Sequence, residues 1–143
     1  MDDAANDSMH FRDDAFRPRR ILLADDDATL RGLIAGVLRA DGLEVVETAD
    51  GVQLLSALED QLLRGGLGSD GVLIVADIRM PELSGLDVLA ILRCASIPTP
   101  VILLTAFADA EIVAEARDLG ARVFDKPVDL DDLRDAVHAA AVA

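Results

Sequence analysis

The stretch RILLADDDATLRGLIAGVLRADG, residues 20–42, contains a short apolar run followed by a longer amphipathic segment. Its first part, residues 20–24, has the composition of a strand that is buried on both faces. After three aspartates, apolar residues recur at helical spacing from Leu30 to Leu38, and Gly42 follows as a stop signal. The stretch therefore predicts a strand and then a helix, and this pattern recurs along the chain.

The alternation of strand and helix continues to the C-terminus. Further strands are predicted at residues 43–49, 72–76, 100–106 and 121–124. Further helices are predicted after the cap residue Asp50 and at about residues 84–93, 109–119 and 130–142. Five strand–helix repeats with short links imply an α/β fold, with a doubly wound five-stranded parallel sheet and helices on both faces.

The composition restricts the possible partners. The chain has 143 residues, a formal net charge of −14 and 52% hydrophobic residues, which suits one acidic domain with a substantial core. An acidic protein is a poor electrostatic match for nucleic acid or for an anionic membrane, so we expect neither as a partner. The apolar runs are also far too short to cross a bilayer.

The N-terminal residues differ from the rest of the chain. Residues 1–19 carry many charges without clear periodicity, which predicts a flexible tail ahead of a domain spanning residues 20–143. Cys94 is the only cysteine, so no disulfide framework is expected. This cysteine usage fits a reducing, cytoplasmic location.

Chemically active side chains lie where several predicted strands end. Asp25 and Asp26 follow the first strand, Asp77 follows the third, Thr105 lies at the end of the fourth and Lys126 lies just beyond the fifth. Ligands of open parallel sheets bind at the carboxyl ends of the strands, so we expect these side chains to meet. Neighbouring carboxylates repel one another, and Mg²⁺, which prefers oxygen ligands, would offset that repulsion.

The basic residues single out one position. Lys126 is the only lysine among 13 basic residues. We therefore expect that a compact ammonium group is needed at this position, where a guanidinium group would not serve. Asp27, in contrast, is expected to cap the helix that follows the first strand.

Four stretches of the chain resemble the receiver domain of two-component response regulators, including its single-domain chemotaxis type. They are ILLADDD (21–27), VLIVADIRMPELSGLDVL (72–89), VILLTA (101–106) and FDKPVDLDDL (124–133). The resemblance runs from about Arg20 to Val142. It implies a flavodoxin-like fold with strand order 2-1-3-4-5. It also implies a signalling domain that is not an enzyme, except that it catalyses its own phosphorylation and dephosphorylation.

The resemblance implies a role for each residue of the phosphorylation site. Asp77 would accept a phosphoryl group from a histidine kinase or a phosphotransfer protein, giving an aspartyl phosphate. Thr105 and Lys126 would contact the phosphoryl oxygens, which fits the need to neutralise their charge during transfer. The peptide bond between Lys126 and Pro127 would be cis.

The cofactor implied by the resemblance is Mg²⁺. Asp26, Asp77 and the backbone carbonyl of Arg79 would bind the ion directly, and Asp25 would act mainly through bound water. The side chain of Arg79 would also lie at the rim of the site, as would Phe107. We expect these two residues to modulate the lifetime of the phosphoryl group, with Phe107 hindering the attacking water.

Signalling in this family implies a switch that begins at Thr105. When Thr105 moves toward the phosphoryl group, an aromatic side chain of the fifth strand turns inward. This movement changes a surface of the fourth helix, fifth strand and fifth helix, where a downstream protein or a second copy would bind. Most members of the family have one more residue than this chain between the glycine that ends the fourth helix and the lysine. Applying the family spacing forward from Gly120 therefore gives Phe124 as the aromatic switch residue, whereas applying it back from Lys126 gives Val123. We expect Phe124 and keep Val123 as the alternative.

Two other functions fit parts of the sequence. LLADDDATL also resembles the opening of a haloacid-dehalogenase-type phosphatase, with Asp25 as nucleophile and Asp27 as acid and base. That family needs a later strand that ends in an acidic pair, whereas residues 128–135 have helical periodicity. The other alternative is a pseudo-receiver that binds partners without phosphorylation, although such proteins lack some of the five site residues.

Overall fold

The computed structural model describes residues 16–65, 71–106 and 109–140, in which five strands alternate with five helices. The strands are β1 (Arg20–Ala24), β2 (Glu44–Thr48), β3 (Val72–Asp77), β4 (Val101–Thr105) and β5 (Arg122–Asp125). The helices are α1 (Ala28–Ala40), α2 (Gly51–Leu63), α3 (Gly85–Cys94), α4 (Ala110–Asp118) and α5 (Leu130–His138).

The five strands are parallel and form one sheet in the order β2-β1-β3-β4-β5. The predicted fold class and strand order are therefore confirmed. The register aligns the carboxyl ends of the central strands, because Ala24 pairs with Ala76 and Asp77 pairs with Leu104. Residues that follow these strands consequently lie along one edge of the sheet.

Helices cover both faces of the central strands. Successive side chains of a strand point to opposite faces, so each strand contributes to two separate parts of the core. One face is covered by α2, α3 and α4 and is called the α2–α4 face. Its core contains Leu22, Ile74 and Leu103 from the strands with Leu54, Leu89 and Ala116 from the helices. The opposite face is covered by the two helices α1 and α5 and is called the α1–α5 face. Its core contains Ile21, Val75 and Leu104 from the strands with Ile34, Leu133 and Val137 from the helices. This double coverage explains why β3 is buried along its whole length and reads as a continuous apolar run.

Aspartate side chains begin the first two helices. Asp27 caps α1 by accepting hydrogen bonds from the backbone N–H groups of Thr29 and Leu30. Asp50 caps α2 by accepting from the backbone N–H of Gln53. Both predicted caps are confirmed, and each satisfies donors that the first turn of a helix leaves without a partner.

Several predicted boundaries differ from the observed ones by a few residues. β3 includes Asp77 instead of ending before it, and α5 ends at His138 instead of at residue 142. Backbone hydrogen bonds from Ala139 close the last turn of α5. Residues 1–15 lie outside the described residues, so the flexible tail and the domain boundary at residue 20 stay predictions.

Candidate functional site

Polar residues from four strand ends lie together at the carboxyl edge of the sheet. Asp25 follows β1, Asp77 ends β3, Thr105 ends β4 and Lys126 follows β5. Asp25, Asp77 and Thr105 are buried, whereas Asp26 is exposed. The parallel topology thus collects side chains that are far apart in the sequence.

Lys126 lies at the centre of the buried part of the site. Its Nζ atom donates a hydrogen bond to Asp77 Oδ2 at 2.8 Å and lies 3.0 Å from Asp25 Oδ2. Its backbone N–H donates to the carbonyl oxygen of Thr105 at 2.8 Å, and its peptide bond to Pro127 is cis. One ammonium group therefore links two carboxylates, while its backbone is held by the end of β4.

Asp25, Asp26 and Asp77 form a cluster of carboxylates. One oxygen atom from each residue lies within 4.8 Å of those from the other two. Lys126 contributes a single positive charge, so three carboxylates and one ammonium group leave an excess of negative charge. Hard divalent cations prefer carboxylate and carbonyl oxygens, and these residues therefore fit such an ion.

Backbone N–H groups fix the orientation of the two buried carboxylates. The N–H of Asp27 donates to Asp25 Oδ1 at 2.9 Å, and the N–H of Arg79 donates to Asp77 Oδ1 at 3.0 Å. Each buried carboxylate thus has one oxygen bound to the backbone and the other beside Lys126. This arrangement leaves little freedom for either side chain to rotate.

Burial and pairing act on protonation in opposite directions. Burial raises the pKa of Asp25, although hydrogen bonds from the Asp27 N–H and from Lys126 oppose the rise. Burial lowers the pKa of Lys126, but its hydrogen bonds to Asp77 and Asp25 outweigh that effect, and the net pKa is raised. Lys126 is therefore charged at neutral pH, whereas keeping Asp25 ionised costs free energy that a bound cation would offset.

Two residues that sequence analysis did not assign to the site support its backbone. Arg31 of α1 donates from Nη1 to the carbonyl oxygen of Asp25 at 2.7 Å. Gly85 begins α3, where a Cβ atom would clash with the carbonyl oxygen of Asp77. Gly85 lies in a stretch that carries the family resemblance, whereas no spacing rule indicates the contact made by Arg31.

An open cleft of about 550 Å³ adjoins the carboxylate cluster. It is lined by Asp26, Ile78, Arg79, Met80, Pro81, Ser84, Leu86 and Ile112. The lining runs from the exposed carboxylate to side chains of α3 and α4. The cleft therefore opens to solvent beside the exposed carboxylate of Asp26.

The two candidate switch positions face opposite sides of the sheet. Phe124 packs against the α1–α5 face, and the Arg122 guanidinium carbon lies 5.2 Å from the centre of its ring. Val123 packs against the core of the α2–α4 face, which includes Ala116 of α4. The position beside α4 is therefore held by Val123 and not by Phe124, because strand side chains alternate. Phe107 lies outside the described residues, so its expected role stays a prediction.

Two observations bear on the phosphatase alternative. The Oδ1 atom of Asp27 accepts hydrogen bonds from the N–H groups of Thr29 at 3.0 Å and Leu30 at 3.2 Å, which leaves this side chain engaged as a helix cap. In the described residues after Lys126, Leu130–His138 is helical, and no strand follows. The acidic pair that such a phosphatase needs at a strand end therefore has no counterpart there.

The family model for the response regulator receiver domain matches residues 21–138. The chain belongs to the response regulator receiver family. This receiver domain is a signalling domain of two-component systems and not a classical enzyme. Its cluster of Asp25, Asp26 and Asp77 fits the phosphoacceptor site of the family.

Known relatives and solved structures agree with this assignment. The receiver domain is 35% identical over 129 residues to the transcriptional regulatory protein PdtaR of Mycobacterium tuberculosis, covering 89% of this chain but only 58% of PdtaR. It is 29% identical over 119 residues to the sporulation initiation phosphotransferase F of Bacillus subtilis, covering 82% and 90% of the two chains. A receiver domain structure from Clostridium thermocellum superposes with a TM-score of 0.72 at 28% identity, covering 83% and 90%.

None of the helices in residues 16–65, 71–106 and 109–140 is long and apolar enough to cross a membrane.

Proposed function

We propose that Asp77 accepts a phosphoryl group from a histidine kinase or from a phosphotransfer protein. The observation that carries the proposal is the 2.8 Å contact between Lys126 Nζ and Asp77 Oδ2 within a cluster of three carboxylates. The ammonium group offsets negative charge that gathers around this carboxylate during transfer, and a carboxylate can act as the nucleophile. The sporulation initiation phosphotransferase F among the relatives is a further argument for phosphoryl transfer.

Mg²⁺ is the cation that suits the excess carboxylate charge. Asp26, Asp77 and the backbone carbonyl of Arg79 would hold the ion, with Asp25 acting through water. When bound, Mg²⁺ would supply positive charge to the oxygens of the phosphoryl group being transferred. The exposed position of Asp26 supports this assignment, because the cleft that opens to solvent is lined by both Asp26 and Arg79.

The protein residues then have separate tasks in the transfer. An oxygen of Asp77 forms the new bond to phosphorus as the bond from phosphorus to the donor imidazole nitrogen breaks, and the imidazole keeps the electron pair. Lys126 offsets negative charge on the phosphoryl oxygens, and the hydroxyl of Thr105 donates a hydrogen bond to one of them. Hydrolysis by water reverses the modification, so the domain catalyses only its own phosphorylation and dephosphorylation. Arg79 and Phe107 would set how long the modification lasts.

The output of the switch is a change of protein contacts. Movement of Thr105 toward the phosphoryl group would free space on the α4 side of β5, where Val123 packs. The surface formed by α4, β5 and α5 would then bind a downstream protein or a second copy of the domain. A cytoplasmic location, with a kinase as upstream partner, is part of the same proposal.

The direct test is phosphorylation by acetyl phosphate, followed by intact mass spectrometry. We expect wild type with Mg²⁺ to gain ~80 Da, the mass of one phosphoryl group, and to gain nothing after removal of Mg²⁺ with a chelator. Asp77→Asn should not be labelled, whereas the surface variant Asp60→Asn should be labelled like wild type. A folded wild type that takes no label would indicate a pseudo-receiver, and a labelled Asp77→Asn would place the nucleophile elsewhere.

A further inference from the structure

Arg31 connects three elements behind the cation site. It is the fourth residue of α1, and its side chain is 20% exposed. Its Nη1 atom donates to the carbonyl oxygen of Asp25 at 2.7 Å, and its Nε atom lies 3.3 Å from Glu47 Oε1 on β2. The guanidinium group therefore links the end of β1 to β2, at the edge of the sheet.

The carbonyl that Arg31 binds belongs to the peptide unit between Asp25 and Asp26. A peptide unit is planar, so fixing the direction of this carbonyl also fixes the direction in which the chain continues to Asp26. The N–H of Asp25 is held separately by the carbonyl oxygen of Thr48 at 3.2 Å. Arg31 thus acts at the point where the chain passes from the buried carboxylate to the exposed one.

We propose that Arg31 is a positioning residue for cation binding, acting through the peptide unit between Asp25 and Asp26. The inference rests on the proposed function, since it presumes that the carboxylate cluster holds Mg²⁺. Guanidinium groups suit this task because their planar donors bind two acceptors at once in a fixed geometry. Partners that orient the ligands of a metal affect its affinity although they do not touch it.

Arg39 provides a matched control on the same helix. Its Nη1 atom lies 3.0 Å from Glu47 Oε2, and its Nη2 atom donates to the carbonyl oxygen of Val45 at 3.0 Å. Arg31 and Arg39 therefore share Glu47 as an ion-pair partner. Of these two arginines, only Arg31 donates a hydrogen bond to Asp25, so the two variants separate loss of the surface ion pair from loss of the site contact.

Charge and positioning predict opposite effects on Mg²⁺ binding. If Arg31 acted only through its charge, removing it would reduce repulsion of the cation, and Arg31→Ala would bind Mg²⁺ more tightly. If it positions the peptide unit, Arg31→Ala binds more weakly. Arg31→Lys then also binds more weakly than wild type, because one ammonium group does not reproduce a fork that reaches two acceptors.

The experiment is calorimetric titration of the full chain with MgCl₂, together with urea unfolding of each variant. We expect Arg31→Ala to raise the dissociation constant for Mg²⁺ about tenfold. The dissociation constant of Arg31→Lys should lie between those of Arg31→Ala and wild type. Arg39→Ala should bind Mg²⁺ with an affinity close to that of wild type, although it should lose about as much unfolding free energy as Arg31→Ala does. If Arg31→Ala does not fold, the comparison of Arg31→Lys with Arg39→Ala decides the question.

Three results would overturn the inference, and they differ from failure of the proposed function. These results are wild-type or tighter affinity in Arg31→Ala, wild-type affinity in Arg31→Lys, and equal weakening in Arg39→Ala. In each case wild type still binds Mg²⁺ and Asp77 still takes the label. A wild type that binds no Mg²⁺ would instead overturn the metal assignment of the proposed function, and the inference with it.

Discussion

Two ionic clusters lie on this domain, and they differ in burial and in charge balance. The buried cluster joins Asp25 and Asp77 through Lys126 at the carboxyl edge of the sheet. The surface cluster joins Asp41, after α1, to Arg134 and His138 of α5, with contacts of 2.7 Å to Arg134 and 3.0 Å to His138. Both clusters cross between elements, but their side chains meet very different amounts of water.

The direction of the pKa shift distinguishes the candidate functional site from a cluster that stabilises the fold. In the surface cluster, hydrogen bonds from Arg134 and His138 lower the pKa of Asp41, so its ionised form is favoured by folding. In the buried cluster, burial raises the pKa of Asp25, so its ionised form is opposed by folding. Strongly perturbed pKa values cluster at the functional sites of proteins, so the raised pKa of Asp25 supports the buried cluster as the candidate site.

Removing the ammonium group of the buried cluster should have the largest effect on stability. Lys126→Met leaves Asp25 and Asp77 buried without their cation, and we expect a loss of about 3 kcal/mol in the unfolding free energy without metal. Urea unfolding with and without Mg²⁺ measures it. The matched change Arg134→Met in the surface cluster should cost much less, because solvent screens the charges it leaves. Equal losses in the two variants would contradict the distinction between the clusters.

The backbone around the buried cluster should tolerate no added side chain. Gly85→Ala places a Cβ atom against the carbonyl oxygen of Asp77, and we expect a loss of about 2 kcal/mol from the resulting overpacking. Gly36→Ala, on the exposed side of α1 with nothing within 4 Å, should instead gain about 0.5 kcal/mol from helix propensity. Thermal unfolding of both variants decides it, and a stable Gly85→Ala would show that the backbone at Asp77 has room to move.

Removing one carboxylate from each cluster should change stability with opposite signs. Without metal at neutral pH, Asp25→Asn should gain stability, because the fold no longer holds a buried charge whose ionisation it opposes. Asp41→Asn should lose stability, because Arg134 and His138 lose their ionised partner. Saturating Mg²⁺ should stabilise wild type more than Asp25→Asn. Urea titrations provide the measurement, and a destabilised Asp25→Asn would contradict the assignment.

Changing the pH should alter the unfolding free energies of these variants by less than the substitutions themselves do, and in opposite directions for Asp25 and Asp41. Because the folded pKa of Asp25 is raised from 3.8, its ionisation costs stability at neutral pH, and the advantage of Asp25→Asn should shrink as pH falls toward 3.8. Because the folded pKa of Asp41 is lowered from 3.8, its contribution is present above 3.8 and is lost as pH falls through the folded value. Unfolding free energies from pH 7 downward, without metal, test both slopes. Parallel slopes would contradict the comparison.

The sequence predicts the buried cluster well because the topology of a parallel sheet restricts where strand ends lie. Asp25, Asp77 and Lys126 each adjoin an apolar run that is clear in the sequence, and a parallel sheet brings such ends together. The sole lysine adds a compositional signal for the ammonium position. For these residues, local pattern and global fold agree.

Other features of the site depend on details that no local pattern contains. The choice between Val123 and Phe124 depends on a one-residue shift, which turns a strand side chain to the opposite face. Arg31 lies on an amphipathic helix where arginine is common, and its bond to the carbonyl of Asp25 follows only from how α1 packs beside β1. The surface cluster likewise joins Asp41 to a helix far along the chain. Such contacts require the three-dimensional structure.

Chemical trapping of the modified residue tests the central claim most directly. Borohydride reduces an aspartyl phosphate to homoserine, so peptide sequencing by mass spectrometry after acetyl phosphate, Mg²⁺ and borohydride locates the phosphorylated side chain. We predict homoserine at position 77, and none when Mg²⁺ or acetyl phosphate is omitted. Homoserine at position 25 or 26, or its absence from a folded and Mg²⁺-loaded protein, would contradict the account.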